Sequence, residues 1–136
     1  MHDHLPEARA TVSYYLARIY NQLGNPSRSL ELCEARYSSA TLETLNLSVR
    51  LEAMHQLGQA TKLLEDQAWK LLQNKPPPLE GLELCITLTK IAKPSLAKKA
   101  RLHAKKTILE LSATLEDQPE LQEKFLELHR ELTADS

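Results

Sequence analysis

Apolar residues recur at helical spacing along almost the whole chain. Near the N-terminus Val12, Leu16, Ile19, Tyr20 and Leu23 share one stripe, the +3/+4 rhythm of an amphipathic helix. That helix is expected from Pro6 or Glu7 to Leu23. Asn25-Pro26 then offers an N-cap residue followed by proline at the first helical position, where a missing N–H costs nothing. A second helix carries Leu30, Cys33 and Tyr37, and Ser38-Ser39 is expected to break it. A third holds Leu42, Leu45, Val49, Ala53, Met54 and Leu57, and a fourth Leu63, Leu64, Ala68, Leu71 and Leu72. Pro76-Pro77-Pro78 ends the fourth, because a residue before proline is pushed out of the α region. The fifth is expected from about Leu79 to Ala92, the sixth from Pro94 or Ser95 to about Ala113. A seventh begins near Pro119 with Leu121, Phe125, Leu128 and Leu132. No stretch alternates with period two for long enough to make a strand, so the fold class is all-α with about seven helices.

A three-residue phrase sits where one apolar run ends and the next begins. It reads Gln22-Leu23-Gly24, then Gln56-Leu57-Gly58, then a worn copy at Lys90-Ile91-Ala92, each 34 residues after the last. Neighbouring columns share the period: Tyr20, Met54 and Leu88; Pro26, Ala60 and Pro94; Ser27, Thr61 and Ser95. Small residues hold the bend and a hydroxyl follows shortly after. A helical hairpin repeated at this interval cannot bury its own apolar face and must stack on its neighbours.

These features resemble the tetratricopeptide repeat family, whose unit is a 34-residue helix-turn-helix. In the first repeat Leu16-Ala17, Tyr20, Gly24 and Ser29 follow the family pattern. The second keeps Gly58 but places Arg50-Leu51 and Leu63 where leucine-small and alanine are expected. The third carries Leu84-Cys85, Leu88, Ala92 and Ala97. The family's helix-ending proline is replaced by Thr41 after the first repeat and approximated by Pro76 after the second. The resemblance spans roughly residues 9–112. It implies antiparallel hairpins stacked as a right-handed superhelix in a single domain over 1–136. Three hairpins would cover about 7–112, and a C-terminal capping helix 117–132.

In that helix Leu121, Phe125, Leu128 and Leu132 would cover the open end of the stack. Glu120, Glu123, Lys124, Glu127, Arg130 and Glu131 would face water, as the terminal unit of a repeat array requires. The alternative use of this helix is dimerisation.

Composition narrows the function classes. The chain has 136 residues, is 42% hydrophobic and 26% charged, and carries a net charge of −1, the profile of a folded domain. No apolar run approaches the ~20 residues that span a bilayer. The start, Met1-His2-Asp3-His4-Leu5-Pro6, has neither a basic nor an apolar segment of a signal peptide. A cytoplasmic location is therefore expected. Cys33 and Cys85 lie in amphipathic runs and read as small buried residues. With only three glycines there is no phosphate-cradling loop.

Catalytic signatures are equally sparse. His2-Asp3-His4 cannot close a tetrahedral metal site without further ligands. His55, His103 and His129 stand singly on different helices. Glu65-Asp66 and Glu116-Asp117 are chain neighbours that point to different faces. The expectation is a non-enzyme with no metal and no cofactor.

Charge is distributed unevenly. Between Leu84 and Leu109 stand seven basic residues and no acidic one, whereas eight acidic residues from Glu110 onward meet only Lys124 and Arg130. In the sixth helix Lys98, Arg101 and Lys105 fall on one side and Lys99 and Lys106 on another, with Leu102 and Leu109 between. This basic surface could meet nucleic acid or other phosphates. The interleaved aromatics that stack bases are missing, which disfavours nucleic acid.

The resemblance implies instead a groove lined by the first helix of each hairpin. Its columns would place Tyr14, Arg18, Ser48, Glu52, Leu82 and Ile86 there. Members of the family that grip a C-terminal carboxylate use lysine, asparagine and arginine at such positions. Tyr14, Val49, Leu79 and Glu83 occupy several of them here, so that clamp is not expected. The reading is an adaptor or chaperone-like module that binds a peptide or helix of a partner protein. The alternatives are a regulatory or sensory portion of a larger protein, or the basic-surface binder.

Overall fold

The computed structural model describes the backbone of residues 5–33 and 40–133, and the side chains of 8–33 and 41–133. Eight helices appear among the described residues, and no strand. They are α1 Leu5–Gln22, α2 Pro26–Leu32, α3 Ala40–Gln56, α4 Lys62–Gln73, α5 Pro78–Ile91, α6 Pro94–Ala113, α7 Pro119–Leu128 and α8 Arg130–Thr133. The expected break at Ser38-Ser39, the Tyr37 position and the His2-Asp3-His4 cluster lie outside the described residues.

Helix ends follow local chemistry. Proline opens α2, α5, α6 and α7, pre-set to helical φ with no orphan N–H to satisfy. The Asn25 side chain accepts the Arg28 N–H at 3.4 Å, a cap of the kind that contributes about 1 kcal/mol. The repeated phrase proves to be a helix-stop signal. Gly24 and Gly58 adopt φ of 77° and 70°, where a Cβ is strained. The Asn25 N–H reaches back to the Tyr20 carbonyl at 2.8 Å, and the Gln59 N–H to that of Met54 at 2.9 Å. Both are 6→1 closures of a Schellman motif. Ala92 cannot follow cheaply. It takes φ −67°, ψ 158°, so the third bend leaves the helix by simple extension into Pro94.

The C-terminal region departs from the single seventh helix expected. The chain breaks at His129, whose φ of −110° and ψ of 24° end α7 and start the four-residue α8. Phe125 and Leu132 pack on the core, joined by Leu126. Leu121 and Leu128 remain 49% and 78% exposed, so only half of the expected covering face covers anything. Gln122 donates to the Ser112 carbonyl at 3.0 Å and holds α7 against α6 instead.

Each helix packs on its neighbours in chain order, and α1, α3 and α5 lie side by side in a row. The main core runs through α3 to α6, with Leu51, Leu72, Leu84, Leu88 and Ile108 fully enclosed. Each such side chain contributes roughly 1.5–3 kcal/mol by leaving water. On α6 the buried residues Leu96, Ala100, Ala104, Ile108 and Ser112 recur at every fourth position, and the alanines let α5 approach closely. Glu65, 6% exposed, accepts the Lys93 N–H at the start of α6 at 3.2 Å and the hydroxyl proton of Thr61. In the second repeat, the hydroxyl column thus serves to hold a buried carboxylate.

The first helix is turned the other way from what its hydrophobicity implies. Its apolar stripe faces solvent: Val12 is 56% exposed, Leu16 41%, Ile19 46% and Leu23 73%. The buried side chains are Ala10, Tyr14, Ala17 and Asn21. The two alanines admit the neighbouring helices at short range. Asn21 replaces apolar burial with hydrogen bonds, its side-chain N–H donating to the Val49 carbonyl at 3.0 Å, while Gln56 donates to the Asn21 carbonyl at 3.1 Å. A second, smaller core of Tyr14, Ala17, Cys33 and Val49 results. Leu63 on α4 is likewise displaced, 84% exposed.

Candidate functional site

The 34-residue register puts equivalent side chains on equivalent faces of α1, α3 and α5. Since these helices lie in a row, their shared face forms a trough. A depression of about 400 Å³ there is lined by Arg18 and Gln22 of α1, Ser48 and Glu52 of α3, and Leu82 and Ile86 of α5, among others. Two further depressions continue it. One, of about 220 Å³, runs past His55, Gln56 and Thr87, and the other, of about 990 Å³, past Arg101 and His129 to α8. Lys90 lines all three.

Of the six groove residues read from the sequence, Arg18, Ser48, Glu52, Leu82 and Ile86 line this trough. Ser48 and Leu82 form its floor, each only 4% exposed. Tyr14 is brought to the same place but beneath the surface, also at 4%. Its hydroxyl donates to Glu83 at 3.5 Å and accepts from Arg18 at 3.4 Å, and burial, with the Glu83 carboxylate adding to it, pushes its pKa up. The Arg18–Glu83 ion pair at 3.8 Å is half exposed and adds little stability. Its effect is to orient the Arg18 head along the rim.

Glu52 and Lys90 have no ion-pair partner among the described residues. Burial pushes the His129 imidazole below its ordinary value, so at neutral pH it offers a hydrogen bond and no charge. The trough therefore has a mixed floor of Ser48 and Leu82, hydroxyls of Ser48 and Thr87 in mutual contact, and two exposed charges of opposite sign, Glu52 and Lys90. Thr87 is absent from the residues singled out by sequence, and Lys90 enters there only through the repeated phrase and the basic run, not as a groove residue. The signal for Lys90 lay in the repeated phrase itself, whose first column is Gln22, Gln56 and Lys90. All three are lining residues.

The basic surface is less continuous than the sequence implies. Lys98, Lys99 and Lys106 are exposed and Lys105 is half-buried. Arg101 donates to the Glu131 carbonyl at 2.6 Å, which ties α6 to α8 and turns the guanidinium toward the trough. Leu102 and Leu109 stand between the lysines, 63% and 50% exposed. A separate cavity of about 300 Å³ opens on the opposite side of α5, bounded by Leu72, Lys75, Gly81, His103, Lys106 and Glu110.

Among the described residues the two thiols lie deep and no metal-ligand cluster forms. Cys33 and Cys85 are free and buried, and burial pushes their thiols up to about 11 and about 12, far from the thiolate a nucleophile needs. No group of three potential metal ligands gathers, and no helix is long and apolar enough to cross a membrane. No protein-family model matches the chain, nor does any curated protein or solved structure.

Proposed function

We propose that the chain is a protein-interaction module, adaptor or chaperone-like, with a tetratricopeptide-like stack of hairpins. It holds a peptide or helix of a partner protein in the trough across α1, α3 and α5. The observation that carries this reading is that three depressions share Lys90 as a wall, along a face to which α1, α3 and α5 contribute side chains in equivalent register. Apolar anchors of the partner bury against Leu79, Leu82 and Ile86, and the exposed charges of Glu52 and Lys90 set its orientation. No bond is made or broken.

Affinity capture from the native cell with identification of the bound proteins tests this. Leu79→Asp and Lys90→Glu each place a mismatched charge in the trough at an exposed position outside the core, and each should lower recovery of the specific prey at least tenfold. Recovery should survive added salt, since burial of apolar anchors dominates; a steep fall with salt would point to phosphate binding through α6 instead. Equal recovery by both variants and the wild type would remove the trough as the site. Tyr14 is a poor probe because its truncation opens the smaller core.

A further inference from the structure

We propose that the outward face of α1 is a self-association surface, on which α1 of a second copy packs antiparallel about a two-fold axis. Val12, Leu16, Ile19 and Leu23 are spaced +4, +3, +4, the d-a-d-a seam of a coiled coil. All four face water, with Tyr15 beside them at 57% exposure. Together they leave on the order of 500 Å² of apolar side chain in solvent, a patch of the size that marks an interface. Two such faces bury about 1,000 Å², the lower bound for a specific interface.

The occupant follows from charge and register. The residues flanking the seam are Ser13, Tyr15, Tyr20 and Gln22, none of a charged type, and Arg28, which reaches Tyr20, is already paired with Glu31. A charged partner helix gains nothing there, and a second copy meets no like-charge repulsion. Arg9 stands at one end of the seam. Antiparallel pairing sets it beside the Leu23 end of the other copy, whereas parallel pairing sets two Arg9 side chains together. The hairpin register shows that the same face is covered by a helix elsewhere in the array. The positions equivalent to Tyr15 and Ile19 one repeat later are Val49 and Ala53, which are 3% and 0% exposed. Val49 is covered by Tyr14 and Ala17 of α1. The same slot on α1 has no helix over it among the described residues. Arg18 lies on the far edge of α1 and Gln22 at the border of the seam, so pairing leaves Arg18 and the α3 and α5 walls of the trough open, and this inference does not rest on the function proposed above.

Sedimentation of the full chain from about 5 to about 500 µM, a range suited to a small interface, should show monomer passing to dimer. Ile19→Glu should raise the dimer dissociation constant at least tenfold while helicity and melting temperature stay unchanged, because the side chain is already half exposed. Leu102→Glu, on the exposed face of α6, should leave dimerisation intact. A wild type that stays monomeric throughout overturns the proposal, as does loss of the dimer in Leu102→Glu but not in Ile19→Glu. Orientation has its own readout. Mixed Leu16→Cys and Ile19→Cys chains should cross-link to each other under mild oxidation, with buried Cys33 and Cys85 not competing. Predominant self-cross-linking of Leu16→Cys would overturn the antiparallel arrangement.

Discussion

The two ends of the helical array are built on one 34-residue register but held together by different forces. Around α5 and α6 the buried positions are leucines, an isoleucine and close-packed alanines. Around α1 they are Ala10, Tyr14, Ala17 and Asn21, and the link to α3 relies on the Asn21 and Gln56 hydrogen bonds. A hydrogen bond exchanged with water contributes about 1 kcal/mol net, less than one enclosed leucine. The first hairpin is thus the weaker end, and its surplus apolar side chains are turned outward. The difference teaches that a shared register fixes which face each helix turns to the stack, while the residues standing on that face decide how strongly it is held.

The largest expected effect comes from one column tested at both ends. Leu16 and Leu84 are equivalent by register, yet Leu84 is 0% exposed and Leu16 is 41%. Leu84→Ala should cost about 2–5 kcal/mol through the cavity it leaves, whereas Leu16→Ala in dilute protein should stay within about 0.5 kcal/mol. Urea titration of both variants reads this directly. Similar losses would show that α1 is buried in solution and break the comparison.

The bends allow a finer test. At Gly58, φ is +70° and no atom lies within 4 Å of an added Cβ. Gly58→Val should therefore cost about 1 kcal/mol or more through backbone strain; crowding at the bend, which the small residues in that column imply, plays no part. Ala92, in ordinary extended backbone, should accept valine with a change below about 0.5 kcal/mol. Thermal melts of the pair would sharpen the distinction between the glycine bends and the third.

The smallest effect at neutral pH is the titration of the two thiols. Their folded pKa values, about 11 for Cys33 and about 12 for Cys85, lie above the unfolded value. The unfolded chain therefore releases these protons first as pH rises. Stability is whole below about pH 9 and declines as pH climbs toward the folded values. Comparing urea midpoints near neutrality with those near pH 10.5 should show a shallower decline in Cys33→Ala and in Cys85→Ala than in the wild type, since each removes a thiol that the unfolded chain ionises first. A decline equal to that of the wild type in both variants would show that the buried thiols do not carry it.

Much of this was legible in the residues. Helix positions followed from periodicity, and Asn25-Pro26, the triple proline and the Gln-Leu-Gly phrase marked the ends. These are local signals, read within one turn of the chain. The break at His129 was not legible, because the +4/+3 pattern of Leu128 and Leu132 continues across it. The burial of Tyr14 was likewise hidden, since that depends on Glu83, 69 residues away. The register brought five predicted side chains to one trough. The place of Lys90 at the meeting of three depressions is not legible, because it depends on how α3, α5 and α8 stand around it.

The sequence by itself determined that the chain is helical, where its hairpins bend and which positions are equivalent, for capping, proline geometry and periodicity all act within a few residues. Only the tertiary structure decided that α1 buries its alanines and Asn21 and shows its leucines to solvent. The outcome depends on how closely α2 and α3 can approach. A helix face chosen by neighbour distance and hydrogen bonding is not written in the hydrophobicity of that helix alone.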